Sequence, residues 1–174
     1  MNRDLQKKII WATIWKVTLN SSKSIAIISS RKYLCNSQAL MFCGNYIGRF
    51  VRHKHLGLVL TSTLDWTEHI NNISLRANRK LNVFESLWHL GRKTLDILYK
   101  LTVRSGLDYG LHMLYNYLTQ QLKKRLSQIQ YRASKLVSGG LHYTNQARLE
   151  AELGLESIQS KAEILGLSVF HKIH

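Results

Sequence analysis

The sequence predicts an α+β protein in which a small antiparallel sheet follows one helix and a helical bundle takes up the rest. Short β-rich runs alternate with turn residues up to Thr61, which is typical of a small sheet. After Leu60 the apolar residues recur every three or four positions, which is the period of an amphipathic helix. The chain has 174 residues, 45% of them hydrophobic, which is enough for one domain with a real core. We therefore expect two parts, residues 1–62 and 63–174.

The first part should begin with a helix over residues 4–15, because its apolar residues keep a near-helical spacing and Asp4 is a suitable N-cap. The turn-like residues 20–22 come next. The run from Ile25 to Ile28 is typical of a buried strand. Further short extended segments are expected at residues 39–42, 46–51 and 55–60.

The second part should be helical throughout. The most regular pattern runs from Trp66 to Leu87, over about six turns. A helix from Lys93 to Tyr117 should bend near Gly106, since glycine costs about 1 kcal/mol relative to alanine inside a helix. The remaining helices are expected between a Thr119 cap and a Gly139–Gly140 stop, from Thr144 to Leu153, and from Ile158 to Ile173.

The four tryptophans are Trp11, Trp15, Trp66 and Trp88, and all of them lie at apolar positions of predicted helices. An aromatic side chain at such a position can pack in a core or stack on a nucleic-acid base. We expect core packing, because the tryptophans keep the helical spacing of their apolar neighbours.

The charge of the chain indicates an anionic partner. Twenty-five Lys and Arg stand against ten Asp and Glu, a formal net charge of +15 that exceeds what solubility needs, so a polyanion is expected to bind. No apolar stretch approaches the roughly 18 residues of a membrane-spanning helix. Cys35 and Cys43 are too few for a disulfide framework, and no secretory signal pattern is found. We therefore expect a protein of the cytoplasm or nucleus that is not secreted.

The charge is distributed unevenly along the chain, and two helical stretches carry clusters of bases. Between Thr119 and His142 five bases occur and no acid, whereas residues 143–174 hold three bases and four acids. A merely solvated helical face normally alternates the sign of its charges, so we predict contact with nucleic-acid phosphates without reading of sequence. An ordinary solvated face is the alternative. The predicted backbone contacts are Arg76, Arg79, Lys80, Lys123, Lys124, Arg125, Arg132 and Lys135.

The residues that several kinds of catalysis need are missing from the sequence. The ten acids are scattered and no Asp-Asp dipeptide occurs, so no pair of carboxylates is expected to hold two metal ions. No glycine-rich phosphate-binding loop or serine nucleophile motif is found. The spacing of Cys35, Cys43, His53 and His55 fits none of the usual zinc sites. We therefore predict no catalytic residue, no metal and no cofactor for this chain.

Five segments nevertheless follow one another in a familiar order. In letters they read W-x3-W…N-x2-K-S, K-H-L-G-L-x-L, L-x-W-x2-H-I, R-S-x-L-x-Y-G and Q-x-R-A. They lie at Trp11–Ser24, Lys54–Leu60, Leu64–Ile70, Arg104–Gly110 and Gln130–Ala133. This order resembles the C-terminal part of a non-LTR, LINE-type and jockey-like, retrotransposon reverse transcriptase. Ser105 departs from the family pattern, which has a proline at that position.

The resemblance implies that residues 1–62 form part of a polymerase palm and residues 63–174 a thumb-like helical region. It places the catalytic Y/F-x-D-D strand before the first helix, outside this sequence. The Mg²⁺ ions of the full enzyme would be held there. The chain alone is therefore expected to be inactive as an RNA-directed DNA polymerase.

The resemblance also implies roles for two basic segments. Lys23 would lie near the phosphates of the incoming nucleotide, where its charge would stabilise departing pyrophosphate; an exposed turn lysine is the alternative. Lys54, His55, Leu56 and Gly57 would form a primer-grip-like hairpin. His55 and Gly57 would lie at its tip, with Leu56 and Leu58 packed beneath. A plain sheet hairpin is the alternative.

The function that follows is to hold a primer–template duplex of RNA or DNA by its backbone, independently of sequence. Self-association through an exposed palm edge is expected as well, because unpaired strand edges offer free backbone groups. Two other functions stay open at this point. The chain can be a degenerate retroelement remnant with no selected role, or a basic helical protein that binds a membrane surface or another partner.

Overall fold

A computed structural model describes residues 2–29, 39–87, 89–140 and 144–173 of the chain. The structure is α+β, as predicted, with two small antiparallel sheets and many helices. The chain divides into two compact units, Met1–Asp65 (unit 1) and Trp66–His174 (unit 2). Cys35 and Trp88, for which the sequence makes predictions, lie outside the described residues.

Unit 1 begins with helix α1, Asn2–Ile14. Its inner side packs on a small apolar core made of Leu40, Phe42 and Ile47. The side chain of Asn2 donates to the carbonyl of Ala39 over 3.0 Å and fixes the start of the helix. The predicted helix is confirmed. Asp4 as its N-cap is wrong, because the helix already begins at Asn2 and Asp4 lies within the first turn.

The strands of unit 1 form two separate antiparallel pairs. They are β1 (Met41–Phe42) with β2 (Asn45–Tyr46), and β3 (Arg52–His55) with β4 (Leu58–Thr61). The single sheet that the sequence predicts is therefore wrong in its connectivity. The strand predicted over Ile25–Ile28 is also absent: only Ala26 forms a bridge, accepting from the Phe50 N–H and donating to the Gly48 carbonyl.

Unit 2 is helical, as predicted. Its elements are α2 (Thr67–Ser86), α3 (Arg92–Leu98), a π-helical segment (Tyr99–Arg104), α4 (Ser105–Asp108), α5 (Leu111–Leu114), a 3₁₀ turn (Tyr115–Tyr117), α6 (Gln120–Ser138), α7 (Gln146–Glu152) and α8 (Ile158–Ile173). The core lies between α2 and α6, where Leu81, Leu126 and Ala133 are completely or almost completely buried. No helix in the described part of the chain is long and apolar enough to cross a membrane.

The ends of α6 match the sequence prediction closely. The hydroxyl of Thr119 accepts from the Leu122 N–H over 3.4 Å. Gly139 follows the helix with a φ of 68°, a left-handed conformation that glycine adopts without steric cost. Helix α7 instead begins after Asn145, one residue beyond the predicted Thr144, since the Asn145 side chain accepts from the Ala147 N–H.

The long helix predicted from Lys93 continues through Gly106 and breaks later. Gly110 has a φ of 69° and precedes α5, so the break lies there and not at Gly106. The bend predicted at Gly106 is therefore wrong. Before the break the helix widens into the π-helical segment, whose Tyr99, Val103 and Arg104 are all buried.

Candidate nucleic-acid interface

Two of the sequence motifs meet inside unit 2. Arg104 is only 7% exposed, and its Nε donates to Asp108 Oδ1 over 2.8 Å. Its guanidinium also donates to the side-chain oxygen of Gln130 and, over 3.1 Å, to the carbonyl of Glu156. The segments Arg104–Gly110 and Gln130–Ala133 are thus joined by a buried charge-assisted network. These motif residues shape the fold and do not face solvent.

The buried network continues to α7. Gln130 Nε2 donates to Glu150 Oε1 over 2.6 Å, and Gln146 Nε2 donates to the same oxygen over 2.7 Å. Burial raises the pKa of Asp108, although the adjacent Arg104 charge acts in the opposite direction. Burial raises the pKa of Tyr99 to about 12. The network therefore joins the Arg104 guanidinium directly to Asp108 and, through Gln130, to Glu150, so that loss of Arg104 would leave buried polar groups without a partner.

The π-helical segment explains how Arg104 reaches this network. A π turn holds more residues than an α turn, so it changes which side chains face the core. Here both Val103 and Arg104 are buried, the first among apolar neighbours and the second in the polar network. Sequence analysis missed the network. Gln130 is the residue that could have indicated the network in the sequence, because it is a polar residue at a core position of α6, beside Leu126 and Ala133.

Arg132 and Arg125 lie where α6 packs against α2. Arg132 donates to Asn78 over 3.0 Å, to Asn82 over 2.8 Å and to Glu85 over 2.6 Å. Its charge is therefore already paired within unit 2. Arg125 donates to the side chain of Asn71 and stays exposed.

A line of residues runs along α6 away from its core side; its first two members are exposed and its last two half-buried, and the Tyr131 hydroxyl donates to the Thr144 carbonyl over 2.9 Å. Its members are Lys124, Gln128, Tyr131 and Lys135, at intervals of four, three and four residues, and we call it the outer stripe. The Lys135 ammonium lies 4.5 Å from the centre of the Tyr131 ring, a cation–π distance that holds the charge in place. Lys124 is exposed, and its side chain forms no hydrogen bond or ion pair with another described residue.

Lys123 lies on a different side of α6 from the outer stripe. Its ammonium is 4.8 Å from the centre of the Tyr115 ring, and the side chain is half-buried. The contact is a second cation–π pair, and it directs the charge toward the 3₁₀ turn that precedes α6. Lys123 and Lys124 are therefore not equivalent, although they are adjacent in sequence.

Of the three bases of α2, Arg76 and Lys80 lie on a different side of the helix from Asn78 and Asn82, whereas Arg79 lies three residues before Asn82. Arg76, Arg79 and Lys80 are exposed, and the Lys80 ammonium donates to the carbonyl of Thr102. The residues two positions on from Arg76 and Lys80 are Asn78 and Asn82, which bond Arg132 from α6. Residues two apart point to different sides of a helix. The eight predicted bases are therefore divided among several surfaces of unit 2.

In unit 1, Lys23 closes a tight turn. The Asn20 side chain accepts from the Lys23 N–H over 3.2 Å, and the residues Ser21–Lys23 form a 3₁₀ turn. Asn45, at the start of β2, donates to the Ser21 hydroxyl over 2.9 Å and ties the turn to the first hairpin. The Lys23 side chain is exposed.

The second hairpin contains the primer-grip-like residues. Its tip is Leu56 and Gly57, with φ of 45° and 84°, the positive values that a two-residue hairpin turn requires. His55 is not at the tip, because it pairs with Leu58 at the end of β3. Leu56 is 75% exposed, so the predicted packing of Leu56 beneath the hairpin is wrong; a turn residue with left-handed backbone projects away from the sheet. Leu58 is half-buried.

The outer side of α1 presents an apolar surface that the sequence did not predict. Trp11 and Trp15 are 55% and 66% exposed, with ring centres 6.5 Å apart. Ile10 and Ile14 are exposed beside them. The expected core packing of these two tryptophans is wrong, since α1 turns its other side toward the core. Trp66 does pack against the core of unit 2.

The described residues do not fit a magnesium site. The Asp-Asp pair that the resemblance implies is not in this sequence. No three Cys, His, Asp or Glu side chains lie together within residues 2–29, 39–87, 89–140 and 144–173 as a metal site requires. Comparisons with known protein families, with curated proteins and with solved structures find no match for this chain.

Proposed function

We propose that the chain is the duplex-holding part of an RNA-directed DNA polymerase of the non-LTR retrotransposon type. Unit 1 is then a palm fragment and unit 2 a thumb-like region. The order of the five sequence segments supports this proposal. The duplex is held by its phosphates and its sequence is not read, because exposed Lys and Arg without accompanying acids supply charge but no selective pattern of hydrogen bonds.

The observation that carries the proposal is the outer stripe of α6 together with Arg125. Lys124 is exposed and Lys135 half-buried along one side of a helix of 19 residues that contains no acid. Arg125 lies next to Lys124, and its bond to a neutral Asn71 leaves its charge unpaired by any acid in the described part of the chain. A rigid α-helix that spaces cations along one side suits the regular phosphates of a duplex.

The test is the salt dependence of duplex binding. In the variant Lys124→Gln/Arg125→Gln/Lys135→Gln, affinity for unrelated duplexes should fall by similar factors. The log–log salt slope should flatten by two to three units, about one per lost phosphate contact. The matched control is Lys7→Gln/Lys8→Gln/Lys16→Gln, which removes the same charge from exposed positions in and just after α1. An unchanged slope in the α6 variant would overturn the proposed interface.

A second experiment tests the polymerase assignment. Purified chain with template, annealed primer, nucleotides and Mg²⁺ should extend no primer, because the sequence has no Asp-Asp pair to hold the ions. Template-dependent extension above a no-protein control contradicts this expectation. The same proposal also predicts that the chain self-associates through the edges of the β3–β4 hairpin.

A second candidate function is binding to an anionic membrane surface through α1. The exposed Trp11 and Trp15 suit the interface between water and lipid, and the exposed Lys7 and Lys8 suit anionic headgroups. Vesicles that contain phosphatidylserine should then shift the tryptophan emission to shorter wavelength, and Trp11→Ala/Trp15→Ala should abolish both the shift and the binding. If this variant binds the vesicles as tightly as the wild type, membrane binding through α1 is excluded.

A further inference from the structure

A groove runs between α2 and residues 101–107 of unit 2, and we call it the α2 groove. Two adjoining cavities form it, with volumes of about 480 Å³ and about 90 Å³. They share Lys80, Thr102 and Gly106, and the Lys80 ammonium donates to the Thr102 carbonyl from one wall to the other, so an occupant of both cavities must displace this bond. The larger volume lies within the range of known ligand-binding clefts. All the lining residues belong to unit 2, so the groove is a feature of that unit alone.

The floor of the groove is apolar and well packed. Ala77, Phe84, Val103 and Leu107 line it and are buried beneath the surface. The walls carry apolar side chains that face solvent, of which Leu101 is 69% exposed. Exposed apolar surface next to a concave apolar floor marks a site at which a partner gains free energy by covering both.

Small residues keep the groove open. Gly106 lies in the helical backbone of α4, and a Cβ placed there would meet no other atom within 4 Å. The glycine is therefore not required by crowding or by a special backbone angle. Glycine lowers the stability of the helix by about 1 kcal/mol relative to alanine, and its missing side chain leaves space in the groove.

The rim of the groove is basic. Arg76 and Lys80 line it, and Arg79 is exposed on the same helix one turn from Arg76. None of the residues that line the two cavities is an acid. The side chains of Arg76 and Arg79 form no hydrogen bond or ion pair with another residue in the described ranges. An occupant with carboxylates along one edge would neutralise this rim.

The shape of the groove selects a helix as the occupant. Its α2 side extends from Ile73 to Phe84, and at 1.5 Å per residue this is a length of about 17 Å, or three helical turns. An amphipathic helix of that length places apolar residues at i, i+4 and i+7 along such a floor. A nucleic-acid duplex presents phosphates alone and would leave the apolar floor uncovered.

We propose that the α2 groove binds an acidic amphipathic helix of a partner protein, with its apolar stripe on the floor and its carboxylates against Arg76, Arg79 and Lys80. This interaction is separate from the proposed duplex binding, because it uses α2 and residues 101–107, whereas the duplex site uses α6. It does not depend on the polymerase assignment.

The experiment measures fluorescence anisotropy of a labelled helical peptide of ~15 residues with leucine at i, i+4 and i+7 and glutamate on one flank. The full chain should bind this peptide. Gly106→Leu should weaken binding by at least about tenfold, because the new side chain fills the groove. The matched control is Gly166→Leu, at a helical glycine of α8 whose added Cβ also meets no atom within 4 Å; it should bind as the wild type does.

The charge of the rim is tested separately. Arg76→Gln/Arg79→Gln should weaken the peptide about fivefold and reduce the effect of salt, and a peptide with lysine in place of glutamate should bind at least tenfold more weakly. Duplex binding by Gly106→Leu should be unchanged. Measuring both ligands therefore tests the peptide site and the duplex site separately. Absence of peptide binding, equal binding by Gly106→Leu, or equal binding of the lysine peptide would each overturn the proposal.

Discussion

Unit 2 packs nineteen buried apolar residues into one cluster, whereas the corresponding cluster of unit 1 has three, counted over the residues that the structure describes. The difference follows from the two kinds of local pattern. Helices of unit 2 repeat an apolar face over many turns and bury it together. Unit 1 relies on turn residues, such as Asn20 and Gly57, that fix short segments one at a time. A core of this size makes unit 1 the more weakly stabilised of the two.

The largest loss of stability in unit 2 is expected on removal of the buried Arg104 guanidinium. Arg104→Met leaves Asp108 and Gln130 buried without their donor, and we expect a loss of about 3–5 kcal/mol in the free energy of unfolding. Urea unfolding followed by circular dichroism measures it. Arg92→Met is the control, because the Arg92–Glu152 pair is exposed and contributes less than about 1 kcal/mol. Equal losses in both variants would show that the buried network contributes no more to the free energy of unfolding than an exposed ion pair does.

Truncation of one core residue in each unit sharpens the comparison. Leu81→Ala should cost about 3 kcal/mol, because Leu81 is fully buried and its neighbours cannot close the cavity. Ile47→Ala should cost about 2 kcal/mol, since the small core of unit 1 can collapse around the gap. Leu75→Ala, at an exposed position of α2, is the control with little effect. A larger loss at Ile47 than at Leu81 would reverse the ranking of the two units.

A stabilising change is expected at the second hairpin. Leu56 has a φ of 45°, a backbone conformation that asparagine tolerates better than leucine. Leu56→Asn should therefore stabilise unit 1 by about 1 kcal/mol. Tryptophan fluorescence in a Trp66→Phe/Trp88→Phe background follows unit 1 through Trp11 and Trp15. Loss of stability in Leu56→Asn would show that leucine is required at the tip for packing.

The smallest expected effect is a pH dependence of unit 2. Burial, and secondarily the charge of Arg76, lower the pKa of His69 below its ordinary value of 6.5. When the pH falls below 6.5, the unfolded chain takes up a proton that the folded chain does not, so stability falls as the pH falls. His69→Gln should reduce this slope, which unfolding at a series of pH values measures. An unchanged slope in His69→Gln would contradict the lowered pKa of His69.

Elements with a long repeat and a marked end could be predicted from the sequence. Helix α6 is such an element, because Thr119 and Gly139 mark its ends by local chemistry. The strand predicted over Ile25–Ile28 is wrong, since a strand exists only if another segment pairs with it and Ala26 alone finds a partner. The break was predicted at Gly106 and lies at Gly110, because both are glycines within the same predicted helix and only the tertiary packing decides which of them ends it.

The candidate site was predicted as a set of residue types and not as an arrangement. The run of bases in α6 is visible in the sequence, but the pairing of Arg132 with Glu85 requires the packing of α6 on α2. The same packing separates Lys80 from the outer stripe and places it on the α2 groove. Charge counted along a chain therefore overstates the surface that one ligand can reach.

The π-helical segment Tyr99–Arg104 shifts the phase of the helix that it interrupts. An α-helix advances about 100° per residue, so one residue more or less rotates everything beyond it by that angle. The faces buried by α3 and α4 are matched to the shifted phase, with Leu95 on one side and Leu107 on the other. Removal of a single residue from the segment would turn Arg104 away from Gln130. The spacing between Leu95 and Leu107 is thus as much a part of the fold as the residues themselves, and insertions or deletions there are tolerated far less than substitutions.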